Sequence, residues 1–328
     1  MVAGQNGILK RAQEAKAITA EKAAGEKVDL AVSGAIARSN YGELTIENLE
    51  KEVEKHNGRI KGDKKEFPVT VIMDGYEIGV NGSGNVTKPG NKISKEESYV
   101  GYYADMDVDG TVDGVIYADL AIGGSGNWEG NSDGKYEIPQ VTDGLKEYYI
   151  SQTNYSGKFG DKAVISPTSK TEKGTERFYI MALTDIDGSR NGTRYDWYNA
   201  AYGKMEDYEE TTSENFGTGK TNTATIIEKW NNKRYGEQNA DSTFLDMWGV
   251  IQKEVEKGWF VPSIDEWVVF GDELKVDTTN YSSKDLSDSY WSSSQFNDGE
   301  AWNVDYYNDF FTSSIVDNSN YVRLSATF

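Results

Sequence analysis

The last forty residues constrain the fold most. Three short segments, Tyr290-Trp291-Ser292-Ser293-Ser294, Ala301-Trp302-Asn303-Val304 and Tyr321-Val322-Arg323-Leu324, have the aromatic and β-branched content of strands, and turn-forming residues separate them. A chain that repeats this pattern over so short a span must fold back on itself as β-structure. Between the segments the alphabet narrows. Every residue from Asp305 to Tyr321 is Asp, Tyr, Asn, Phe, Thr, Ser, Ile or Val, a run of seventeen without Lys or Glu. Codons of the form NNC encode that set, and antibody paratopes draw on a similar one. The tract reads as a variable binding face held between strands; the alternative is an ordinary polar β-rich tail.

With 328 residues the chain can hold one large domain or two smaller ones. Its net charge of −20 is uneven. Residues 1–56 carry eight Lys/Arg against nine Asp/Glu, which leaves −19 to the other 272 positions. Such a field repels nucleic acid and anionic membranes and suits calcium or a protein partner. The absence of cysteine removes disulfides, thiolate metal sites and cysteine nucleophiles together. The single histidine, His56, lies in a polar segment, so histidine-based acyl chemistry is not expected and no catalytic residue is assigned. No stretch is apolar enough to span a bilayer.

Residues 4–25 read as a helix with Ile8, Ala12, Ala15 and Ile18 or Ala20 near one face. A second helix over 45–56 places Ile46, Leu49 and Val53 on a stripe. Phe67–Met73 and Tyr76–Val80 alternate as strands about Asp74-Gly75. Further on, a helix over 242–257 should end at Gly258. Ser263 and Glu266 form a capping box that starts another, carrying Trp267 and Phe270 inward. The last strand should place Val322, Leu324, Ala326 and Phe328 on one face and Tyr321, Arg323, Ser325 and Thr327 on the other.

Two resemblances organise these pieces. The string Gly4-Gln5-Asn6-Gly7-Ile8-Leu9-Lys10-Arg11-Ala12-Gln13-Glu14-Ala15-Lys16 resembles the segment after the apolar half of the first helix in type IV pilin-like proteins of Gram-positive bacteria. The leader and apolar half that precede it in that family are not in this chain, and Met1 reads as an added start. The order helix, Gly258-Trp259-Phe260-Val261-Pro262-Ser263, helix, Tyr290–Ser293, Ala301–Val304, Tyr321–Arg323 resembles the C-type-lectin-like fold. It is similar to the branch that holds formylglycine-generating-enzyme-like domains and the variable proteins of diversity-generating retroelements. The resemblances imply an α+β protein: a pilin-like stalk over 1–94, with its helix and small antiparallel sheet, then a lectin-like domain over 95–328 whose variable region is about 290–328. Formylglycine-generating activity needs cysteine, so the implied role is extracellular, on a cell surface or pilus: adhesion or recognition of an unknown ligand, expected to be a protein. Pilus or pseudopilus subunits would be partners through the N-terminal helix. A structural minor pilin and a calcium-dependent carbohydrate-binding lectin are the rival readings, although the sugar-ligating Glu-Pro-Asn or Gln-Pro-Asp triplet is absent.

The expected ligand-binding residues are Phe296, Asn297, Asp298, Asp305, Tyr307, Asn308, Phe310, Phe311, Thr312, Ser313, Ser314, Asp317, Asn318 and Ser319. One of the adjacent pair Phe310 and Phe311 should point inward. Trp291, Trp302 and Arg323 are expected in the scaffold. For a structural calcium, Asp105, Asp107, Asp109 and Asp113 occupy positions 1, 3, 5 and 9 of an EF-hand-like loop, with Gly110 at 6 and the Thr111 carbonyl at 7. Position 12 is Ile116, and Asp119 is a candidate replacement for the missing carboxylate. Asp185, Asp187, Asn191 and Asp196 form a weaker echo, read as a solvated turn. Gly219-Lys220-Thr221 is no phosphate loop, because Glu214 stands where that motif needs glycine.

Overall fold

The computed structural model describes residues 20, 23–39, 42–62, 66–84, 86–87, 92–128, 135–167, 173–188, 190–198, 212–231, 246–308 and 310–328. The architecture is α+β. Most of the helix expected over 4–25 lies outside the described residues. The described residues 23–37 are helical, α1, and include Gly25 and Gly34. Its small apolar stripe, Ala24, Val28, Ala31, Val32 and Ala35, is buried, and that tertiary contact offsets the cost of two helical glycines. Helix α2 (Ile46–Lys55) starts where Thr45 Oγ1 accepts the Asn48 N–H at 3.3 Å, and it buries Leu49 and Val53.

Both helices cover an antiparallel sheet of β1 (Arg59–Ile60), β2 (Val69–Met73), β3 (Tyr76–Val80) and β4 (Val86–Thr87), paired in that order. Val69, Val71 and Met73 point into the same hydrophobic cluster as α1, as period-two alternation requires. Asp74 and Gly75 both have positive φ, 50° and 86°, which suits a two-residue hairpin turn and sets the Met73–Tyr76 register.

Residues from Ile93 onward build the remaining clusters. Their strands are β5 (Tyr103–Ala104), β6 (Gly114–Asp119), β7 (Gly124–Asn127), β8 (Lys135–Ile138), β9 (Tyr148–Gly157), β10 (Gly160–Pro167), β11 (Phe178–Ala182) and β12 (Tyr195–Asp196). Near the C-terminus follow β13 (Ser289–Asn297), β14 (Glu300–Asp305), β15 (Phe310–Ile315), β16 (Ser319–Asn320) and β17 (Ser325–Thr327). A six-stranded sheet in the order β17-β11-β6-β5-β10-β9 forms the base, antiparallel except for the β5–β10 pair. All six residues of β6 are buried, so both sheet faces are covered.

The remaining helices are α3 (Gly219–Trp230), α4 (Met247–Val250), α5 (Gln252–Val255) and α6 (Ile264–Glu273). Helix α6 lies between the base sheet and a second sheet, β13-β14-β15. Its Phe270 meets Tyr117 of β6 edge-on at 5.9 Å, while Trp267 stacks on Tyr290 of β13 at 4.9 Å. The capping box forms: Glu266 N donates to Ser263 Oγ at 3.3 Å, and Ser263 N donates to Glu266 Oε2 at 2.8 Å. Glu266 also accepts from Gly217 N (3.1 Å) and Gly219 N (3.4 Å), which ties the 213–219 segment to α6. Burial pushes the Glu266 carboxyl up to about 7 against the pull of these amides.

Two expectations need correction. The helix expected over 242–257 is two short helices broken at Ile251, whose backbone (φ −81°, ψ −8°) departs from the regular helical ψ; Met247, Trp248 and Ile251 are buried in one cluster, and residues 242–245 lie outside the described set. Gly258, with φ of 101°, ends the second. The terminal strand is only Ser325–Thr327, and Tyr321 through Ala326 are all buried rather than alternating. Tyr321 packs in the cluster of α6, Val322 and Leu324 pack in the cluster of Trp197, Ile226 and Trp248, and Ala326 packs with Ile116 and Ile180 of the base sheet. Among the described residues no helix is long and apolar enough to cross a membrane.

Candidate recognition face and acidic loop

The β13–β15 sheet carries the expected binding positions at its rim. Trp291, Tyr290, Ala301, Val304, Tyr306 and Val316 are buried, and they fix the strands from behind. Trp291 Nε1 donates to the Tyr195 carbonyl at 2.8 Å, and Trp267 Nε1 to that of Trp291 at 3.1 Å. Around this frame Phe296 (48% exposed), Asp298, Tyr307 (66%), Asn308, Asp317, Asn318 and Ser319 are exposed. Asn297, Asp305, Phe311, Thr312, Ser313 and Ser314 are half-buried. The side chain of Phe310 lies outside the described residues.

Several of these side chains also shape the turns. Asn297 Oδ1 accepts from Gly299 N at 2.8 Å while its amide donates to Glu300 Oε2 at 2.7 Å. Asp305 accepts both the backbone and the side-chain N–H of Asn308, at 3.0 and 2.9 Å. Ser314 Oγ donates to Asn303 Oδ1, and Ser319 Oγ to Asp196 Oδ1. Phe311 pairs with Val304 across the sheet, stacks toward Trp128 at 6.5 Å and meets Trp302 at 5.7 Å, so part of its ring serves the core.

Trp302 departs from its expected scaffold role. It is only half-buried, its ring meets Phe296 edge-on at 4.9 Å, and its Nε1 donates to Glu214 Oε1 at 2.6 Å. Alternation along β14 contained the signal: Ala301 and Asn303 occupy the buried side, so Trp302 points the other way. Ile315, 53% exposed, and Glu214 join the rim although neither was expected there. Glu214 is 88 residues from Trp302, and no local pattern connects them. Arg323 is fully buried, with Nε donating to Asp185 Oδ1 at 2.8 Å and Nη2 to the Asp285 carbonyl at 2.6 Å.

That ion pair also corrects the weaker acidic echo. Asp185 is no solvated turn residue; it is buried against Arg323, Tyr290 and Ser287. Asp187 accepts from the Thr193 backbone and Asp196 from Ser319, so these carboxylates serve different loops.

The β5–β6 loop holds Asp105, Asp107 and Asp109 with ligand oxygens within 4.8 Å of one another. Asp105, 1% exposed, accepts from Asp109 N and Gly110 N, each at 3.1 Å, and Thr111 N donates to Asp109 Oδ1 at 2.7 Å. Val108 and Gly110 take positive φ, 60° and 90°, to let the chain turn this tightly. Asp113 does not join the group: its Oδ2 accepts from Met106 N at 2.7 Å. Ile116 is fully buried. Asp119, the candidate replacement, is buried in a fork with Arg177 at 2.8 and 2.9 Å and is unavailable to the loop. Three carboxylates fit calcium's preference for oxygen ligands, but among the described residues the bidentate ligand of an EF-hand has no counterpart.

Burial, with the neighbouring carboxylates adding to it, pushes Asp105 up to about 7 and Asp113 up to about 6. Both values lie above the unfolded carboxylate range, so the folded chain holds protons that the unfolded chain releases. In the metal-free protein the contribution of Asp105 and Asp113 to stability is therefore fully present below about pH 4 and is lost as the pH rises toward 7, by about 2–4 kcal/mol together. Urea melts across that range check the sign. Asp105→Asn should flatten the slope, and an unchanged slope would remove Asp105 as its source.

No protein-family model matches the chain, and no curated protein is significantly similar to it. Among solved structures, a fimbrial protein from Bacteroides ovatus is similar with a TM-score of 0.33 and 13% identity, over 82% of this chain and 58% of that one. This chain thus spans less than two thirds of that protein's length.

Proposed function

We propose that this is an extracellular recognition protein. In this reading a pilin-like stalk over residues 1–94 carries a C-type-lectin-like unit over 95–328, and the rim of the β13–β15 sheet binds a protein ligand. One observation carries the reading: none of the described side chains among the expected binding positions is buried, whereas Ala301, Val304, Tyr306 and Val316 between them belong to the core. A face of Tyr, Phe, Asn, Ser and Asp on a rigid two-sided frame has the composition of a paratope. Diversification by a retroelement would explain why the narrow alphabet coincides with the exposed positions. Calcium held by Asp105, Asp107, Asp109 and the Thr111 carbonyl would brace the β5–β6 loop, away from the ligand. Millimolar calcium at neutral pH should then raise the melting temperature by a few degrees, reversibly with EDTA; identical melts would remove the ion.

Sequencing the locus from many cells tests the main claim. Variation is expected at the codons for Phe296, Asp298, Tyr307, Asp317 and Asn318, at positions where an adjacent near-copy carries adenine, with Trp291, Val304 and Arg323 constant. Absent or scattered variation would sink diversification. The same positions should tolerate substitution: Tyr307→Ser and Asn318→Ser are each expected to shift stability by no more than about 0.5 kcal/mol in urea titrations. A glycan array with and without EDTA separates the calcium-dependent lectin, whose sugar binding the chelator would abolish.

A further inference from the structure

The charge of the rim described above is mostly negative; Arg194, which pairs with Asp288 at 3.0 Å and reaches the Ser319 carbonyl, is a cation at one end of it. From Asp285 to Val322 the chain has Asp285, Asp288, Asp298, Glu300, Asp305, Asp309 and Asp317 and no lysine, arginine or histidine. At one corner of the sheet two more carboxylates join it. Glu214 is exposed and accepts the Trp302 indole N–H at 2.6 Å, and its backbone carbonyl accepts from Asp265 N at 3.1 Å. Phe296 lies edge-on to Trp302 at 4.9 Å. Burial, and after it the Glu214 charge, pushes the Asp265 carboxyl up to about 6. Among the described residues no lysine or arginine forms an ion pair with Glu214 or Asp265.

We infer that the corner formed by Glu214, Asp265, Trp302 and Phe296 receives a lysine or arginine side chain from a basic protein surface, which is the kind of partner the whole rim fits. The chemistry is complementary at two ranges. At contact, an ammonium or guanidinium can satisfy the carboxylates while resting against aromatic rings, and partial desolvation strengthens both interactions. Arginine suits the corner better, because its planar fork can meet a carboxylate and stack on an indole together. At a distance, the net negative charge that remains after Arg194 pairs with Asp288 steers a cationic partner and repels an anionic one, so association should be fast and salt-sensitive. The charge also explains why a polar face could remain selective: specificity comes from rejecting acidic surfaces as well as from contacts made.

The inference rests on the rim being a binding surface, and the experiment separates the two. The whole chain is immobilised and panned against a phage-displayed random dodecapeptide library at low salt, and bound clones are sequenced and re-measured on variants. Enriched clones should carry arginine or lysine. They should bind at least about tenfold more weakly to Glu214→Gln, and again in about 0.5 M NaCl, where charges are screened within a few ångströms. Glu214→Gln keeps an oxygen for the Trp302 indole, so its melting temperature should not move, and Glu26→Gln on α1 should leave binding unchanged. Clones that are lost on Phe296→Ser or Tyr307→Ser but carry no basic enrichment, or that ignore Glu214→Gln, would overturn the inference and leave the binding rim standing. Clones indifferent to all of these variants would overturn both.

Discussion

Replacing Arg323 by methionine is expected to destabilise the fold by about 3–5 kcal/mol, because it strands a buried carboxylate. Asp185 is 4% exposed and keeps two hydroxyl donors in the variant, Tyr290 at 2.9 Å and Ser287 at 2.8 Å, but loses the one cation that pairs with it among the described residues. The pair itself is not ideally satisfied. Arg323 Nη1 has no hydrogen-bond partner among the described residues, so the cost comes from isolating Asp185 rather than from losing an optimal interaction. Two consequences follow for measurement. The double variant Arg323→Met with Asp185→Asn should be less destabilised than the sum of the single variants, since each alone leaves the other group orphaned. Because Arg323 directly follows the rim and bonds the Asp285 carbonyl that precedes it, the single variant should also weaken any rim binder. Urea titration of the four proteins closes the cycle, and a loss below about 1 kcal/mol for Arg323→Met would show that Asp185 does not need its partner.

The same pair shows what the sequence could and could not disclose. Contacts between near neighbours were readable: Ser263 and Glu266 are three residues apart, and the capping-box spacing gave the start of α6. The Asp74-Gly75 hairpin was readable for the same reason. The order of the base sheet was not, because β5 and β10 pair in parallel about sixty residues apart and no turn chemistry records that. At the acidic loop the convergence of Asp105, Asp107 and Asp109 followed from alternate spacing within one turn. Asp119 was misassigned since its partner, Arg177, is 58 residues away and invisible to spacing. Trp302 failed differently. A tryptophan in a strand is buried by default, and only the open face of the β13–β15 sheet, with Glu214 brought to it by α6, leaves this one half-exposed. The candidate rim was legible as an alphabet. Its aromatic corner and its acid pair required the fold.

Arg177→Met is expected to cost a similar amount, about 3–5 kcal/mol, and to loosen one segment more than the rest. Arg177 is 2% exposed and uses three nitrogens at once: Nε and Nη2 form the fork to Asp119, Nη1 donates to the Ser94 carbonyl at 2.9 Å, and Nη2 donates to the Glu97 carbonyl at 2.9 Å. Its guanidinium also lies 5.2 Å from the Tyr99 ring centre and 4.8 Å from that of Phe178. The residue therefore ties the 94–99 segment, where the chain leaves the first hydrophobic cluster, to β6 and β11 of the base sheet. Removing it leaves two carbonyls and a carboxylate short of donors at one place, so local opening should precede global unfolding. Trypsin cleavage after Lys92 or Lys95 is expected to accelerate in denaturant concentrations that leave the far-UV circular dichroism intact. Arg177→Lys should fall between wild type and methionine: it keeps a charge for Asp119 but cannot span the fork and both carbonyls. Comparable protease resistance in Arg177→Met would show that the segment is held by Ile93 and Tyr99 packing alone. The partner variant adds a separate check, because Asp119→Asn should destabilise the chain without altering any calcium dependence of its melting temperature, as befits a carboxylate committed to arginine rather than to the acidic loop.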